Sequence, residues 1–282
     1  MRCLTIIPVN GIGNRLRAIA ASLYLSRKLG REATIVWEPD SLLPGRWHDI
    51  FEPSPALQFS SMKNAQELGL VPYEPVPLYK SHDADFVMLR GNDRGEQRFA
   101  KQYFRMLKNS PNKSGVVMAG DYFHHRAGSL EQAGKFLAKE RTSLANLLPF
   151  TPSIRDRAER LAPTAPYLSL HLRGTDRVGD AASPTDLFAA AVTMAKKRGV
   201  TNVFVASEDN RLIDMAEPLL RRSGLKMTVN PDPRKRQTLS DTRAAFVDYL
   251  VLRGGIAFVG SNRSTFSTEI GVNYPRRQKV LL

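Results

Sequence analysis

The sequence predicts an α/β fold in which parallel strands alternate with amphipathic helices. Short apolar runs recur along the chain, and the segments between them carry apolar residues three and four positions apart and commonly end on glycine. Apolar strands that alternate with such helices are typical of a parallel sheet covered on both faces. A chain of 282 residues is long for one such domain and natural for two of about 140 residues each. The sequence therefore predicts two lobes with a cleft between them.

The first lobe is predicted to span residues 1–150 and to open with a βαβ unit. Its parts are a strand at 4–9, a loop that contains Gly11, Gly13 and Asn14, a helix that ends at Gly30, and a strand at 33–37. A glycine loop at the N-terminus of a helix favours an anion, because backbone N–H groups and the helix dipole point at it. The loop lacks the third glycine of the dinucleotide-binding fingerprint, so it is a weak cofactor motif.

Two arginines, Arg15 and Arg17, lie in the first turn of this helix. Positive charge is mildly unfavourable at a helix N-terminus. A negatively charged ligand bound there would account for both side chains. The alternative is that both point into water.

The rest of the first lobe is predicted to be rich in loops, with seven prolines between residues 39 and 80. The predicted elements are short strands at 57–59, 76–79, 86–89 and 116–119 and a helix at 136–148. Such loops commonly carry recognition functions, so we expect variable substrate recognition in this lobe.

The second lobe is predicted to span residues 151–282 and to repeat strand and helix regularly. A helix capped by Ser153 opens it and runs to about residue 161. Strands are predicted at 167–170, 202–206, 226–229 and 256–260, and helices at 186–198, 210–222 and 242–252. Ligands of open parallel sheets bind beyond the carboxyl ends of the strands. The functional site is therefore expected at these strand ends.

The strand that begins at Tyr167 leads into the most informative loop of the chain. Side chains alternate along a strand, so His171 and Arg173 are expected on one face while Leu172 turns into the core. An imidazole and a guanidinium at a strand's carboxyl end suit an anionic ligand, and the planar fork of an arginine matches a phosphate. The alternative is a surface ion pair between an arginine and an aspartate of the same loop.

The chain is strongly basic, with 41 Lys and Arg against 27 Asp and Glu and a net charge of +14. This balance favours phosphate-bearing partners: nucleotides, nucleic acids or an anionic membrane surface. The single cysteine, Cys3, excludes an internal disulfide and a cysteine-based zinc site, and it fits a reducing compartment. We identify neither a signal peptide nor an integral membrane segment, so we expect a cytoplasmic protein.

Three strand ends of the second lobe carry a recognisable set of motifs. These are H-L-R-G-T-D-R-V-G from His171, V-F-V-A-S-E-D from Val203 and F-V-G-S-N-R-S-T-F-S-T-E from Phe258. In order and spacing they resemble the three motifs of the fucosyltransferase superfamily and are most similar to its α1,6-fucosyltransferase and rhizobial nodulation fucosyltransferase group. The resemblance covers most of residues 167–270. It implies a GT-B arrangement of two Rossmann-like lobes, with GDP-fucose held mainly by the second, and inverting transfer without a metal.

The resemblance also implies roles for individual residues. Arg173 would contact the β-phosphate and stabilise the charge on the departing GDP. His171 and Asp248 would recognise the guanine, and Arg177 would lie near the phosphates. The pyrophosphate would be bound by Ser264, Thr265, Phe266 and Ser267. The first lobe, on the acceptor side, would cover the donor with Gly11, Gly13, Asn14 and Arg15.

The sequence departs from the family pattern at two places. The relatives carry two adjacent arginines, whereas this chain has Gly174 at the second position. The acidic residue suggested as base in some relatives aligns with Ala181, so Asp180 becomes the candidate base only after a shift of one residue. Glu208 and Asp209 match an acidic pair of the family, although a Ser-Glu-Asp cluster also caps helices.

The leading hypothesis is an inverting, metal-independent glycosyltransferase that moves fucose or a related sugar from GDP-fucose to a glycan acceptor. Its partners would be a GDP-sugar and a carbohydrate, with no nucleic acid. Two alternatives remain. One is a sugar-nucleotide-binding protein without turnover, which the missing second arginine favours. The other is a basic nucleic-acid-binding protein, which the net charge favours but the absence of interleaved aromatics opposes.

Overall fold

The computed structural model describes residues 3–70, 96–109, 115–124, 126–127, 129–174, 183–232 and 237–282. The chain divides into two compact units. Unit 1 comprises the chain up to Leu42 together with Arg46–Pro149, and unit 2 comprises Leu43–Gly45 together with Phe150–Leu282. The predicted strands at 76–79 and 86–89 lie outside the described residues.

Unit 1 is a four-stranded parallel sheet with helices, in the strand order β3-β2-β1-β4. Its elements are β1 (Cys3–Pro8), α1 (Ile12–Leu29), β2 (Glu32–Val36), α2 (Trp47–Ile50), β3 (Gln58–Ser60), α3 (Met62–Glu67), α4 (Glu96–Asn109), β4 (Gly115–Ala119), α5 (Leu130–Phe136) and α6 (Ala138–Leu147). Strand β1 is buried along its whole length. Helix α1 ends as predicted at Gly30, which adopts the left-handed conformation with φ of 62°.

Unit 2 is a five-stranded parallel sheet with the order β7-β6-β5-β8-β9. Its elements are α7 (Pro152–Leu161), β5 (Tyr167–Leu172), α8 (Pro184–Arg198), β6 (Asn202–Ser207), α9 (Asn210–Arg222), β7 (Lys226–Val229), α10 (Leu239–Gly254), β8 (Ala257–Gly260), α11 (Thr265–Gly271), a short 3₁₀ turn at Arg276–Gln278 and β9 (Lys279–Leu281). Alternate side chains of β5 enter a core formed with α8 and α9.

The predicted α/β fold class, with a Rossmann-like parallel sheet in each lobe, is confirmed, and two helix boundaries are corrected. The helix predicted at 136–148 is divided between α5 and α6 at Leu137, whose backbone (φ −95°, ψ 9°) is not helical. Helix α7 begins at Pro152 after Thr151 rather than being capped by Ser153. Proline suits the first helical position because the N–H that it lacks has no partner there.

No helix in the described part of the chain is long and apolar enough to span a bilayer.

Candidate functional site

Three strand ends that carry polar residues lie side by side in unit 2. Strand β5 pairs with β6 on one side and with β8 on the other, all in parallel. The carboxyl ends of the three strands therefore share one edge of the sheet. Residues 171–174, 207–209 and 261–264 follow or end these strands, so the convergence predicted from the sequence is confirmed.

At the end of β5, the side chains of His171 and Leu172 lie on opposite faces of the sheet, as the alternation of side chains along a strand predicts. Leu172 is fully buried in the core beside α8, and His171 lies on the other face, only 9% exposed. The imidazole Nδ1 lies 2.6 Å from Oγ of Ser267. The ring of Phe266 lies 5.0 Å from the imidazole ring, centroid to centroid. The predicted donor-binding residues His171, Phe266 and Ser267 thus form one cluster.

The turn from β8 into α11 holds the hydroxyl groups of this cluster. Ser264 caps α11, its Oγ accepting a hydrogen bond of 3.2 Å from the backbone N–H of Ser267. Gly260 makes this close approach possible, because a Cβ there would lie 2.9 Å from Oγ of Ser267 and 2.7 Å from Cζ of Phe258. Thr265 is the first residue of α11 and is partly exposed.

Helix α10, which packs against β5 and β6, carries Asp248 as a buried residue. The helix begins with a capping box in which Thr238 and Asp241 bond each other's backbone N–H groups. Asp248 is only 4% exposed. The next residue, Tyr249, lies 6.0 Å from the ring of Phe266, centroid to centroid, and so connects α10 to the cluster around His171. Tyr249 was not predicted from the sequence to belong to the site, because a buried aromatic residue in an amphipathic helix is typical of an ordinary core position.

Arg173 and Gly174 follow directly after β5 and are both partly buried. A Cβ at Gly174 would lie 2.8 Å from Cγ of Glu208 and 3.2 Å from Cβ of Asp209. The end of β6 therefore occupies the space into which a side chain at this position would project. This contact gives a physical reason for glycine where the family has a second arginine.

The acidic pair after β6 has a structural role at Asp209. Its carboxylate accepts a hydrogen bond of 2.9 Å from the backbone N–H of Arg211, which caps α9, and forms an ion pair of 2.8 Å with the Arg211 guanidinium. The hydrogen bond from that guanidinium is the main cause that lowers the pKa of Asp209 below its ordinary value. The capping interpretation of this pair is confirmed for Asp209.

In unit 1 the predicted glycine loop is held against the end of β4. Asn14 donates a hydrogen bond of 2.5 Å to the carbonyl of Gly120. Asn10 adopts a positive φ of 69°, and a Cβ at Gly120 would lie 2.2 Å from its Nδ2. The positive φ of Asn10 and its contact with Gly120 were not predicted from the sequence, although asparagine is one of the few residues that tolerate this backbone. Gly11 precedes α1 and Gly13 is buried within it. The role of Gly11, Gly13 and Asn14 beside the donor stays a prediction.

Arg15 is buried and hydrogen-bonded within unit 1, a role that neither sequence-based interpretation predicted. Its side chain is 1% exposed and donates to the carbonyl of Asn10 at 2.9 Å, the carbonyl of Glu38 at 2.7 Å and the carboxylate of Asp40 at 2.8 Å. The guanidinium also lies 4.6 Å from the ring centroid of Trp37. Burial lowers the pKa of Arg15, and the charge of Asp40 opposes that effect.

Arg17 also has an intramolecular partner, an ion pair of 3.0 Å with Asp121, and its guanidinium lies 4.6 Å from the centroid of Tyr122. The positive charge at the start of α1 is therefore balanced within unit 1. Neither an anion nor exposure to water is needed to explain it.

Two predicted site residues, Arg177 and Asp180, lie outside the described residues. Within the described ranges, no group of three His, Cys, Asp or Glu side chains has the geometry of a metal site.

Comparison with solved structures relates this fold to known enzymes. The structure of NodZ α-1,6-fucosyltransferase soaked with GDP-fucose matches with a TM-score of 0.61 and 13% sequence identity, over 97% of this chain and 93% of that chain. NodZ from Bradyrhizobium matches at 0.62 and 13%, over 97% and 94%. POFUT1 in complex with GDP-fucose matches at 0.59 and 13%, over 100% and 97%. The chain has the fucosyltransferase fold.

The resemblance identified from three motifs is thus confirmed at the level of the fold. No protein-family profile and no curated protein sequence matches the chain. The similarity to the fucosyltransferases that the comparison shows is therefore one of fold, in the arrangement of strands and helices.

Proposed function

We propose that this protein is an inverting glycosyltransferase that transfers fucose from GDP-fucose to a carbohydrate acceptor without a metal ion. One observation carries the proposal. An imidazole, a guanidinium and hydroxyl groups follow adjacent strand ends of unit 2, in a fold shared with proteins whose structures hold GDP-fucose.

The chemistry requires stabilisation of the leaving group. The bond between the sugar C1 and the β-phosphate oxygen breaks, and its electron pair goes to GDP. The acceptor hydroxyl forms the new bond from the opposite face of the sugar and releases its proton, for which Asp180 is the proposed base. Arg173 would lie at the β-phosphate, because a fixed guanidinium stabilises negative charge that grows in the transition state.

Guanine recognition is proposed for His171 and Asp248. If Ser267 donates to Nδ1 of His171, the imidazole carries its proton on Nε2 and offers that N–H to a guanine acceptor. A carboxylate such as that of Asp248 accepts hydrogen bonds from two N–H groups of the guanine edge. Adenine lacks this pair of donors, so the arrangement would favour GDP over ADP.

The direct experiment is a thermal-stability screen with GDP, GDP-fucose, GDP-mannose, UDP and ADP, followed by measurement of donor hydrolysis. A ligand that binds only the folded state raises the unfolding temperature. We expect the largest increase with GDP and GDP-fucose and slow release of fucose from GDP-fucose. Stabilisation by ADP or UDP equal to that by GDP would contradict the proposal.

A second function is favoured by Gly174, which leaves the position of the family's second arginine without a cation. In that case the protein would bind GDP-sugars without transferring them. Stabilisation by GDP-fucose with no release of fucose, either to water or to a panel of oligosaccharides, would favour this function.

A further inference from the structure

The amino edge of the unit 2 sheet, opposite the candidate site, carries a dense group of exposed cations. Helices that connect parallel strands run back along the sheet, so α8 and α9 end at this edge. The last turn of α8 contains residues 196–198, that of α9 contains 221–222, and 276–277 lie just before β9. We call the six exposed side chains of this set the basic edge: Lys196, Lys197, Arg221, Arg222, Arg276 and Arg277.

Contacts within unit 2 hold the three segments of the basic edge, the ends of α8 and α9 and the residues before β9, next to each other. Helix α8 packs against α9. Ala195 and Val200 at the end of α8 share one core with Leu220 and Leu225 at the end of α9. Arg198 donates a hydrogen bond to the backbone carbonyl of Arg277, which ties the end of α8 to the segment before β9. The six cations therefore belong to one surface of unit 2.

The loops of this edge supply no acidic side chain that could balance these cations. The loops at the edge are 162–166, 199–201, 223–225, 254–256 and 275–278, and they contain no Asp or Glu. None of the six cations forms an ion pair with any residue in the described part of the chain. The helix dipole favours a cation in the last turn of a helix. That effect does not account for Arg276 and Arg277, which lie outside the α-helices.

Exposed apolar side chains lie at the same edge. Leu219, in the last turn of α9, and Ile256, in the loop before β8, are each 39% exposed. Basic residues bind anionic lipid headgroups, and neighbouring apolar side chains enter the boundary between headgroups and acyl chains. A nucleic-acid backbone would use the cations but gains nothing from these two side chains.

We propose that the basic edge docks this protein on the surface of an anionic lipid bilayer. Strand β5 has six residues, which places the candidate site about 20 Å from the docked edge at a rise of about 3.3 Å per residue. The carboxyl edge of unit 2 would then stay open to a soluble donor while the protein is bound. The proposal is independent of the transfer reaction.

The test is sedimentation of the full chain with vesicles of phosphatidylcholine and of phosphatidylcholine with 30% phosphatidylglycerol. We expect binding only to the anionic vesicles, weakening as NaCl rises. The variant K196A/K197A/R221A/R222A should bind at least a hundredfold more weakly, because each basic residue near an anionic surface contributes about fivefold. The control K101A/R105A/K108A/K139A removes four exposed cations from unit 1 and should retain binding.

A second variant, L219S/I256S, distinguishes a bilayer from a polyanion. We expect it to bind anionic vesicles at least tenfold more weakly, because apolar burial is lost. Its affinity for a 20-base-pair DNA duplex should be unchanged. Circular dichroism and unfolding temperature establish that each variant is folded.

Three results would overturn the proposal: no binding of the parent protein to anionic vesicles, equal loss in the two quadruple variants, or full vesicle binding by L219S/I256S.

Discussion

Arg15 shows how a single charged residue can have a structural role where sequence suggests a ligand. Its guanidinium forms three hydrogen bonds within unit 1 and stacks on Trp37. This role was not predictable from the sequence, because the partner Asp40 lies 25 residues away in a proline-rich loop. The unusual arginine was visible in the sequence, but its partner was not.

The substitution Arg15→Met is expected to destabilise unit 1 by about 3 kcal/mol, since it leaves the carbonyls of Asn10 and Glu38 without the donor that Arg15 supplies. The folded variant should keep the parent affinity for GDP. Urea unfolding and calorimetric titration measure the two quantities. Arg27→Met is the control, because its ion pair with Glu140 involves a side chain that is 56% exposed. An unchanged stability with weakened GDP binding would restore Arg15 to the donor site.

Asp248 is the residue on which we propose that guanine selectivity depends. Asp248→Asn exchanges one acceptor for a donor, so GDP affinity should fall roughly ten- to a hundredfold, as for a hydrogen bond to a charged group. ADP affinity should change little. Isothermal titration of both nucleotides measures the ratio, with the exposed Asp214→Asn on α9 as control. A GDP to ADP ratio equal to that of the parent would reject the role.

At the scale of elements, the turn from β8 into α11 depends on the absence of a side chain at Gly260. Gly260→Ala should lower the free energy of unfolding by about 1–3 kcal/mol, because its Cβ would overlap Phe258 and Ser267. Denaturant unfolding measures the loss. The control is Gly271→Ala at the end of the same helix, where the nearest atom to a Cβ is 3.5 Å away. Equal stability of the two variants would contradict the packing described for this turn.

Several elements follow directly from the sequence. The alternation of His171 and Leu172 and the left-handed cap at Gly30 were both predictable, because each depends on local geometry. Strand β9 was not predicted, because Lys279–Leu281 is short and adjoins two arginines, and only its pairing with β8 makes it a strand. Helix α4 was not predicted from the sequence either.

At the scale of the whole molecule, buried tyrosines set a limit on alkaline stability. Burial raises the pKa of Tyr274 to about 12 and also raises that of Tyr167. The pKa of a tyrosine in the unfolded chain is about 10. The folded state holds these phenols neutral, so their contribution is complete below about pH 10 and is lost as pH rises toward 12.

We therefore expect the free energy of unfolding to fall between about pH 10 and 12. Urea unfolding at several pH values measures the slope, and ultraviolet absorbance follows phenolate formation. Tyr274→Phe should be less stable at pH 8, because it loses hydrogen bonds to Leu252 and Ser169, but its alkaline slope should be shallower. An identical slope in the variant would exclude Tyr274 as a cause.

The two parallel sheets and the convergence of strand ends in unit 2 were predictable, because apolar periodicity and motif order specify them. Which of the cations have acidic partners was not predictable from the sequence. The net charge of +14 suggested phosphate-bearing partners in general. The structure separates balanced arginines, such as Arg15 and Arg17, from the cations of the basic edge, which form no ion pair with the residues that the structure describes.

The most direct test of the central claim is fucose release from GDP-fucose by Arg173→Ala, compared with the parent and with Arg160→Ala, an exposed arginine on α7. Removal of a group that stabilises transition-state charge costs about 10² to 10³ in rate. We predict a loss of this size for Arg173→Ala with an unchanged unfolding temperature, and the parent rate for Arg160→Ala. Release by Arg173→Ala at the parent rate would contradict the assignment of the phosphate site to the end of β5.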